Sequence, residues 1–492
     1  RASAISMTRE RSHYGVLPRR GEVHRLACFA VILGVSGCGR NAAVPGPAAD
    51  AGRSTVATTS QDASAETAEI ADAGATAPEI PAPAQLDVDG NDDPEDPGTG
   101  QAPMQATWER VGTAPLALTR ICDLTPFNGA LYAAHANQPL GTDGATITKY
   151  LPPSGDTKGS FKVAFDWNRP GEPVKGGGAG QGFVRVHAID GRLFVPDADP
   201  PYGGLQVVDW GTEGYVFSSD EKGIFPRARD PHFKPPANTG VLPHAYHVLD
   251  VIKFRGAYFA STGSVPPKEP AWRGHSPGAL HRANADRSRW IYETDYPNPL
   301  RDDGVWRLTY LVRFKDRLYA GIQDYDGRDP NDFVYFAPKD ASPITHEDAH
   351  PTRVTTRGAS GTLRWWVDTH ARPHRLYWLA WSKQGIGMWA TTDGDTWKQI
   401  EIPPENGVPT DITRFRDAVV VLTTNGLYRL EKDDTQSLIA AVEMSKEKKP
   451  KSPFEVTDFF CTAPLAVMDN VLYAGGQRGG SLYRLAESAD AK

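Results

Sequence analysis

The sequence is poor in cysteine, with four in 492 residues, which excludes a disulfide-dense scaffold. It lacks any apolar run of the roughly 20 residues that cross a bilayer as a helix, which excludes a bundle of membrane-spanning helices. It lacks a strong charge balance. The net charge of −7 and pI near 6.0 argue against a generic polyanion binder, so nucleic acid is not an expected partner. Heptad and Gly-X-Y periods are missing, which excludes coiled-coil and collagen-like classes. No Gly-x-Ser-x-Gly elbow occurs. What is abundant is glycine (48) and proline (41), which favour turns over long helices. At 39% hydrophobic and 23% charged, the chain can still build a packed core.

The charge is unevenly spread. Residues 1–38 hold six Arg and two acids, whereas residues 39–105 hold two Arg and twelve acids. All twelve Trp fall later, from Trp108 to Trp397. The chain therefore divides into a basic head, an acidic Ala/Pro-rich stretch and a nearly neutral body, 106–488. In the head, Arg9, Arg11, Arg19, Arg20 and Arg25 precede the apolar run Leu26–Val35, and Val35-Ser36-Gly37-Cys38 follows. This order resembles a bacterial lipoprotein signal peptide over 1–38. The resemblance implies lipidation of Cys38 and anchoring of the chain to a membrane through it. Gly39 is not the Asp that favours inner-membrane retention. The implied address is thus the outer membrane or cell surface of a Gram-negative bacterium. Residues 39–105 carry too few large apolar side chains to offset the entropy of ordering, and read as a disordered tether. Within it Asp87-Val88-Asp89-Gly90-Asn91-Asp92-Asp93 has the composition of a calcium loop but lacks the closing Glu, and reads as solvated linker.

The body repeats. An apolar strand, a tight turn and a second strand opening with Leu-Tyr or its equivalent recur seven times. Examples are Phe127-Asn128-Gly129-Ala130-Leu131-Tyr132, Ile189-Asp190-Gly191-Arg192-Leu193-Phe194 and Met468-Asp469-Asn470-Val471-Leu472-Tyr473. Asn-Gly and Asp-Gly between apolar runs are strong hairpin signals. The mean period is about 57 residues, which with four strands per repeat predicts an all-β, seven-bladed propeller. The last repeat has three strands only. Trp108-Glu109-Arg110-Val111 at the other end is expected to supply the fourth and close the ring. Cys122 and Cys461 precede the first and last inner strands, neighbours in such a ring. They read either as a disulfide or as two buried thiols.

Thr391-Thr392-Asp393-Gly394-Asp395-Thr396-Trp397 resembles a short Asp-box, the structural turn of sialidase-type (BNR-like) propellers, with a degraded relative at 285–290. The resemblance implies that Thr391, Asp393, Gly394 and Trp397 shape a turn. It implies a fold and not an activity, because the arginine trio and Tyr/Glu pair of those enzymes find no counterpart here.

Other motifs read as structure. His346-Glu347-Asp348-Ala349-His350 matches the zinc motif H-E-x-x-H, but Pro343 and Pro351 leave no room for the required helix. Lys175–Gly182 is glycine-rich without the P-loop Lys-Ser/Thr, and Lys446–Lys451 is basic without interleaved aromatics. The candidate binding constellation comes from the propeller register. His187, His244, His247 and Asp250 lie near the starts of inner strands, and Asp197, Asp199, Asp324, Asp326 and Arg478 follow second strands. All are expected on one axial face. His187, His247 and Asp250 are the candidate catalytic groups. No cofactor is expected. Calcium or another divalent metal at Asp324–Asp329 is the alternative.

The expected function is a monomeric binding module for a glycan or a protein. The alternatives are a polysaccharide hydrolase or lyase and a structural subunit of an envelope assembly. An enzyme predicts a deep pocket with two carboxylates, or a His/carboxylate cluster, in mutual reach. A binding module predicts exposed aromatics, and an assembly subunit a broad apolar rim.

Overall fold

A computed structural model describes residues 89–93, 96–136, 144–156, 158–167, 182–198, 213–226, 238–243, 245, 247–263, 278–296, 307–323, 329–340, 343–356, 358–456 and 459–487. Cys38, His244, Asp199, Asp324 and Asp326 lie outside these residues. The fold is all-β and propeller-like. Among the described residues the only helical elements are two single 3-10 turns, His346–Asp348 and Pro404–Asn406.

Strand β1 (Ala106–Thr113) is followed by sheets built in chain order. The first holds β2 (Ile121–Phe127), β3 (Ala130–His135), β4 (Thr146–Leu151) and β5 (Ser160–Asp166). The second holds β6 (His187–Ile189), β7 (Arg192–Pro196), β8 (Glu213–Ser218) and β9 (Gly240–Pro243). Next come β10 (His247–Phe254), β11 (Ala257–Gly263), β12 (Gly278–Ala283) and β13 (Trp290–Asp295). They share one eight-stranded sheet with β14 (Arg307–Phe314), β15 (Arg317–Gln323), β16 (Phe333–Phe336) and β17 (Ala349–Thr352). Two more four-stranded sheets follow. One is β18 (Ala359–Asp368), β19 (Arg375–Ser382), β20 (Gly385–Thr391) and β21 (Lys398–Ile400). The other is β22 (Pro409–Phe415), β23 (Ala418–Thr423), β24 (Gly426–Leu430) and β25 (Gln436–Ala441). The last sheet joins β26 (Leu465–Met468), β27 (Val471–Gly475) and β28 (Ser481–Glu487) to β1.

Among the described residues the sheets number six rather than seven separate ones. The end of β11 reaches the start of β14 through one register pair, Gly263↔Arg307, which fuses two four-strand groups. In the last sheet β1 runs antiparallel to β28 with Trp108 opposite Leu485, so both ends of the body share one sheet.

The first hairpin of five repeats forms for a local reason. Asn128-Gly129, Asp190-Gly191, Arg255-Gly256, Lys315-Asp316 and Asp469-Asn470 all have positive φ at both positions. This is the type I′ geometry that matches strand twist. The second strand then carries an aromatic that meets the third-to-fourth-strand turn of the following sheet. Tyr132 lies under Gly223, where an added Cβ would come within 2.3 Å of its hydroxyl. Tyr319 donates to Gly394 O at 3.3 Å. That second turn is Thr391–Thr396, built around Asp393. Asp393 Oδ1 accepts from the amides of Asp395 (2.9 Å) and Thr396 (2.7 Å), and Arg317 of the preceding sheet pairs with Asp395 at 2.7 Å.

Core clusters join each strand group to the next, and the last to the first. The closing one packs Ile121, Leu131 and Tyr150 against Ala466, Tyr473 and Leu482. Beside it Cys122 and Cys461, both fully buried, form a disulfide.

Candidate functional site

Six repeats place a buried side chain at one shared position, four residues before the end of the inner strand. It is Asp123 before Phe127, Asp250 before Phe254 and Asp411 before Phe415. In two other repeats it is Arg185 and Arg364, and in β14 it is Tyr310. A register shift precedes Asp123, Asp250, Arg364 and Asp411, so a bulge re-aims these side chains. The three aspartates make the same junction. Each accepts from a backbone amide of the following inner strand or its lead-in: Val186 N at 3.1 Å, Leu311 N at 2.7 Å and Leu465 N at 2.7 Å. Carboxylates thus replace a sheet ladder where neighbouring sheets converge on the axis.

Two arginines tie these junctions together. Arg364 reaches Asp123 at 3.0 Å and Asp411 at 3.1 Å, and donates to Cys122 O at 3.4 Å. Arg185 contacts Asp123 at 3.5 Å and stacks on the Tyr310 ring at 3.6 Å. Burial raises the Asp123 carboxyl to about 6, against the pull of Arg185. Burial likewise raises Asp411 to about 7, against hydrogen bonds from Leu465 and Ile412. A cavity of about 100 Å³ adjoins this pair, lined by Asp123, Arg364, Trp365, His370, Asp411 and Asp93.

His187 and Asp250 meet as the sequence suggested. His187 Nε2 donates to Asp250 Oδ1 at 2.6 Å, and its Nδ1 donates to Asp93 Oδ2 at 2.7 Å. Burial opposes the imidazolium. The summed attraction of Asp93 and Asp250 overcomes that cost and holds the pKa well above the ordinary value. The rest of the expected constellation does not join them. His247 donates from Nδ1 to Ala198 O at 3.0 Å and accepts from Arg307 at 3.0 Å. Asp197 is buried near that point, its carbonyl taken by Val248 N. Arg478 pairs with Glu455 at 3.1 Å. The sequence reading missed Asp123, Arg185, Arg364 and Asp411. Only the two aspartates carried a signal of their own, an Asp four residues before a Phe that closes the inner strand.

Asp93 belongs to the stretch expected to be loose linker. Residues 89–93 and 96–102 are instead held across the hairpin ends of the repeats, which corrects the boundary at 105 for these residues. Asp89 Oδ1 accepts from Lys315 N (2.8 Å) and Oδ2 from His374 (2.8 Å). Gly90 and Arg313 exchange both backbone hydrogen bonds. Asp92 pairs with Arg313 (2.7 Å) and accepts from Lys253 N (2.7 Å). Asp93 Oδ1 accepts from Ala188 N at 2.8 Å. Pro97 O accepts from Arg416 N, and Ala102 N donates to Asp417 at 2.7 Å. Each acid finds a cation, an amide or both, which composition alone does not reveal.

The H-E-x-x-H match is not a zinc helix. His346 opens the 3-10 turn and bonds to Asp295, while His350 lies in β17 with its ring stacked on Tyr335. Among the described residues no cluster of three or more His, Cys, Asp or Glu is arranged for a metal. Among the same residues no Trp, Tyr or Phe is exposed, so the aromatic face expected of a binding module is not found there, and the exposed large apolar side chains, such as Met104, Ile224 and Leu438, are scattered.

No protein-family model and no curated protein matches the chain. Among solved structures, virginiamycin B lyase from Staphylococcus aureus is 9% identical, with 78% of this chain and 100% of that one covered and a TM-score of 0.45. The computationally designed Ika8 protein is 9% identical over 77% and 99%, with a TM-score of 0.39. BamB from Moraxella catarrhalis is 12% identical over 78% and 98%, with a TM-score of 0.33. These likenesses concern fold alone.

Proposed function

We propose that the chain is an exported lipoprotein, anchored through Cys38, that displays a seven-bladed propeller as a binding module for a glycan or a protein. The count of seven treats the eight-stranded sheet as two blades. A core cluster that packs Ile252 and Phe254 against Leu308 and Leu318 between its halves supports that count. The buried disulfide supports an oxidising compartment.

One observation carries the binding reading. The charged groups that meet at the axis are held by partners from neighbouring sheets or by the 89–102 segment, and the adjoining cavity is about 100 Å³. Small-molecule pockets run to roughly 300–1,000 Å³. The axis serves as a scaffold, and recognition falls to displayed surfaces. A second reading, a polysaccharide hydrolase or lyase, is favoured by the paired carboxylates Asp123 and Asp411, whose raised pKa values suit proton transfer near neutral pH.

The test is a glycan array probed with the full chain, with turnover followed on every hit. Binding without turnover supports the module. Turnover that disappears in Asp411→Asn supports the hydrolase. For the anchor, Cys38→Ala should release the protein from membranes and abolish incorporation of labelled palmitate. Unchanged fractionation would sink the lipoprotein reading.

A further inference from the structure

The segment 89–102 is bound as a ligand would be bound. Three of its four aspartates meet basic side chains from three different repeats: Asp93 with His187, Asp92 with Arg313 and Asp89 with His374. Each carboxylate also takes a backbone amide, from Ala188, Lys253 and Lys315. The main chain is read as well. Gly90 forms an antiparallel bridge with Arg313, Arg313 donates to Asn91 O at 2.9 Å, and Arg416 donates to Gln101 O at 3.0 Å. Such a bridge takes both the N–H and the C=O of one main-chain residue, which a sugar backbone does not carry, so the recognition is that of an extended polypeptide.

We propose that the hairpin-end face of the propeller is a docking site for an Asp-rich, extended segment of a partner protein, and that residues 89–93 and 96–102 occupy it in cis as an autoinhibitory strap. This names the partner class for the binding reading above and rests on it. The occupant commits to a polypeptide because main-chain hydrogen bonds accompany the ion pairs. The strap continues into β1, which is fixed in the last sheet, so its effective concentration at the face is high and a free peptide competes at a disadvantage. Displacement occurs when a partner supplies more carboxylates than the strap does. Binding weakens as salt screens these pairs.

The experiment uses the full chain carrying Asp89→Asn, Asp92→Asn and Asp93→Asn together. The probes are a synthetic peptide with the sequence of residues 87–102, the same peptide with Asn at every Asp, and polygalacturonate. The acidic peptide is expected to bind the triple variant at least about tenfold more tightly than the wild type, because the cis competitor is weakened. The Asn peptide and polygalacturonate should bind neither. A folded triple variant that ignores the acidic peptide, or binds the Asn peptide equally, overturns the proposal. Preference for polygalacturonate overturns the partner class. Should the variant not fold, hydrogen exchange on the wild type decides: the acidic peptide should speed exchange at the Gly90 and Arg313 amides, and no change overturns the proposal. A positive glycan array with a negative peptide test rejects this inference and leaves the binding reading standing.

Discussion

Replacing Arg364 with Met tests the axial network at its centre. The guanidinium touches two fully buried carboxylates, Asp123 at 3.0 Å and Asp411 at 3.1 Å. Met keeps much of the stem's volume and removes the charge. Breaking a buried pair by removing one partner costs about 3–5 kcal/mol. The sign with pH follows from protonation. Both carboxyls already sit high, at about 6 and about 7, chiefly because they are buried. An acid raised in the fold keeps its proton where the unfolded chain has released it. Stability therefore falls as pH rises from about 4 through the folded value. Without Arg364 both values climb further, each unit worth about 1.36 kcal/mol. The deficit of Arg364→Met should be small at pH 5, where both acids are neutral in the variant, and reach about 3–5 kcal/mol at pH 8. Urea unfolding followed by tryptophan fluorescence at both pH values measures it. Adding Asp411→Asn should recover part of the loss at pH 8. A deficit that ignores pH, or stays below about 1 kcal/mol at pH 8, refutes the assignment of Arg364 as the counter-charge.

Three further outcomes are expected. Cys122→Ser with Cys461→Ser opens a loop of 339 residues, for which the chain-entropy model gives an upper value of about 6 kcal/mol; a shift under about 1 kcal/mol in the urea midpoint analysis would contradict it. His135 is held near a pKa of about 4 by burial, so it is neutral in the fold, and its contribution to stability is lost as pH falls from 6.5 towards 4; an NMR titration in which His135 titrates near 6.5 disproves this. Asp393→Ala removes the acceptor of the Thr391–Thr396 turn and should cost about 1 kcal/mol, checked by thermal unfolding, with an unchanged melting temperature as the adverse result.

What could be read in the sequence was local. Asn128-Gly129 and Asp190-Gly191 announce their hairpins because the turn type is dictated by the two residues that form it. The turn around Asp393 is likewise written in seven consecutive residues, 391–397. The closing role of the Trp108 strand was legible by counting strands. The axial set was not, because Asp123, Arg364 and Asp411 come from three sheets and are meaningful only together. His187 and Asp250 were chosen by register and do meet. His247 was chosen by the same rule, yet a neighbouring carbonyl and Arg307 take its ring. The strap was misjudged because low hydropathy argues against self-folding but not against binding. Asp89, Asp92 and Asp93 gain order from partners 94 to 285 positions away.

The strand that completes the last sheet is among the first of the body to leave the ribosome, and its partner is among the last. Trp108 waits for Leu485, about 380 residues later, which at roughly 5–20 residues per second is about 20–75 s of synthesis. Through that interval the growing chain carries an unmated edge at each end. The final pairing cannot happen until Leu485 has been made, so the strand made first in the body is among the last to be paired.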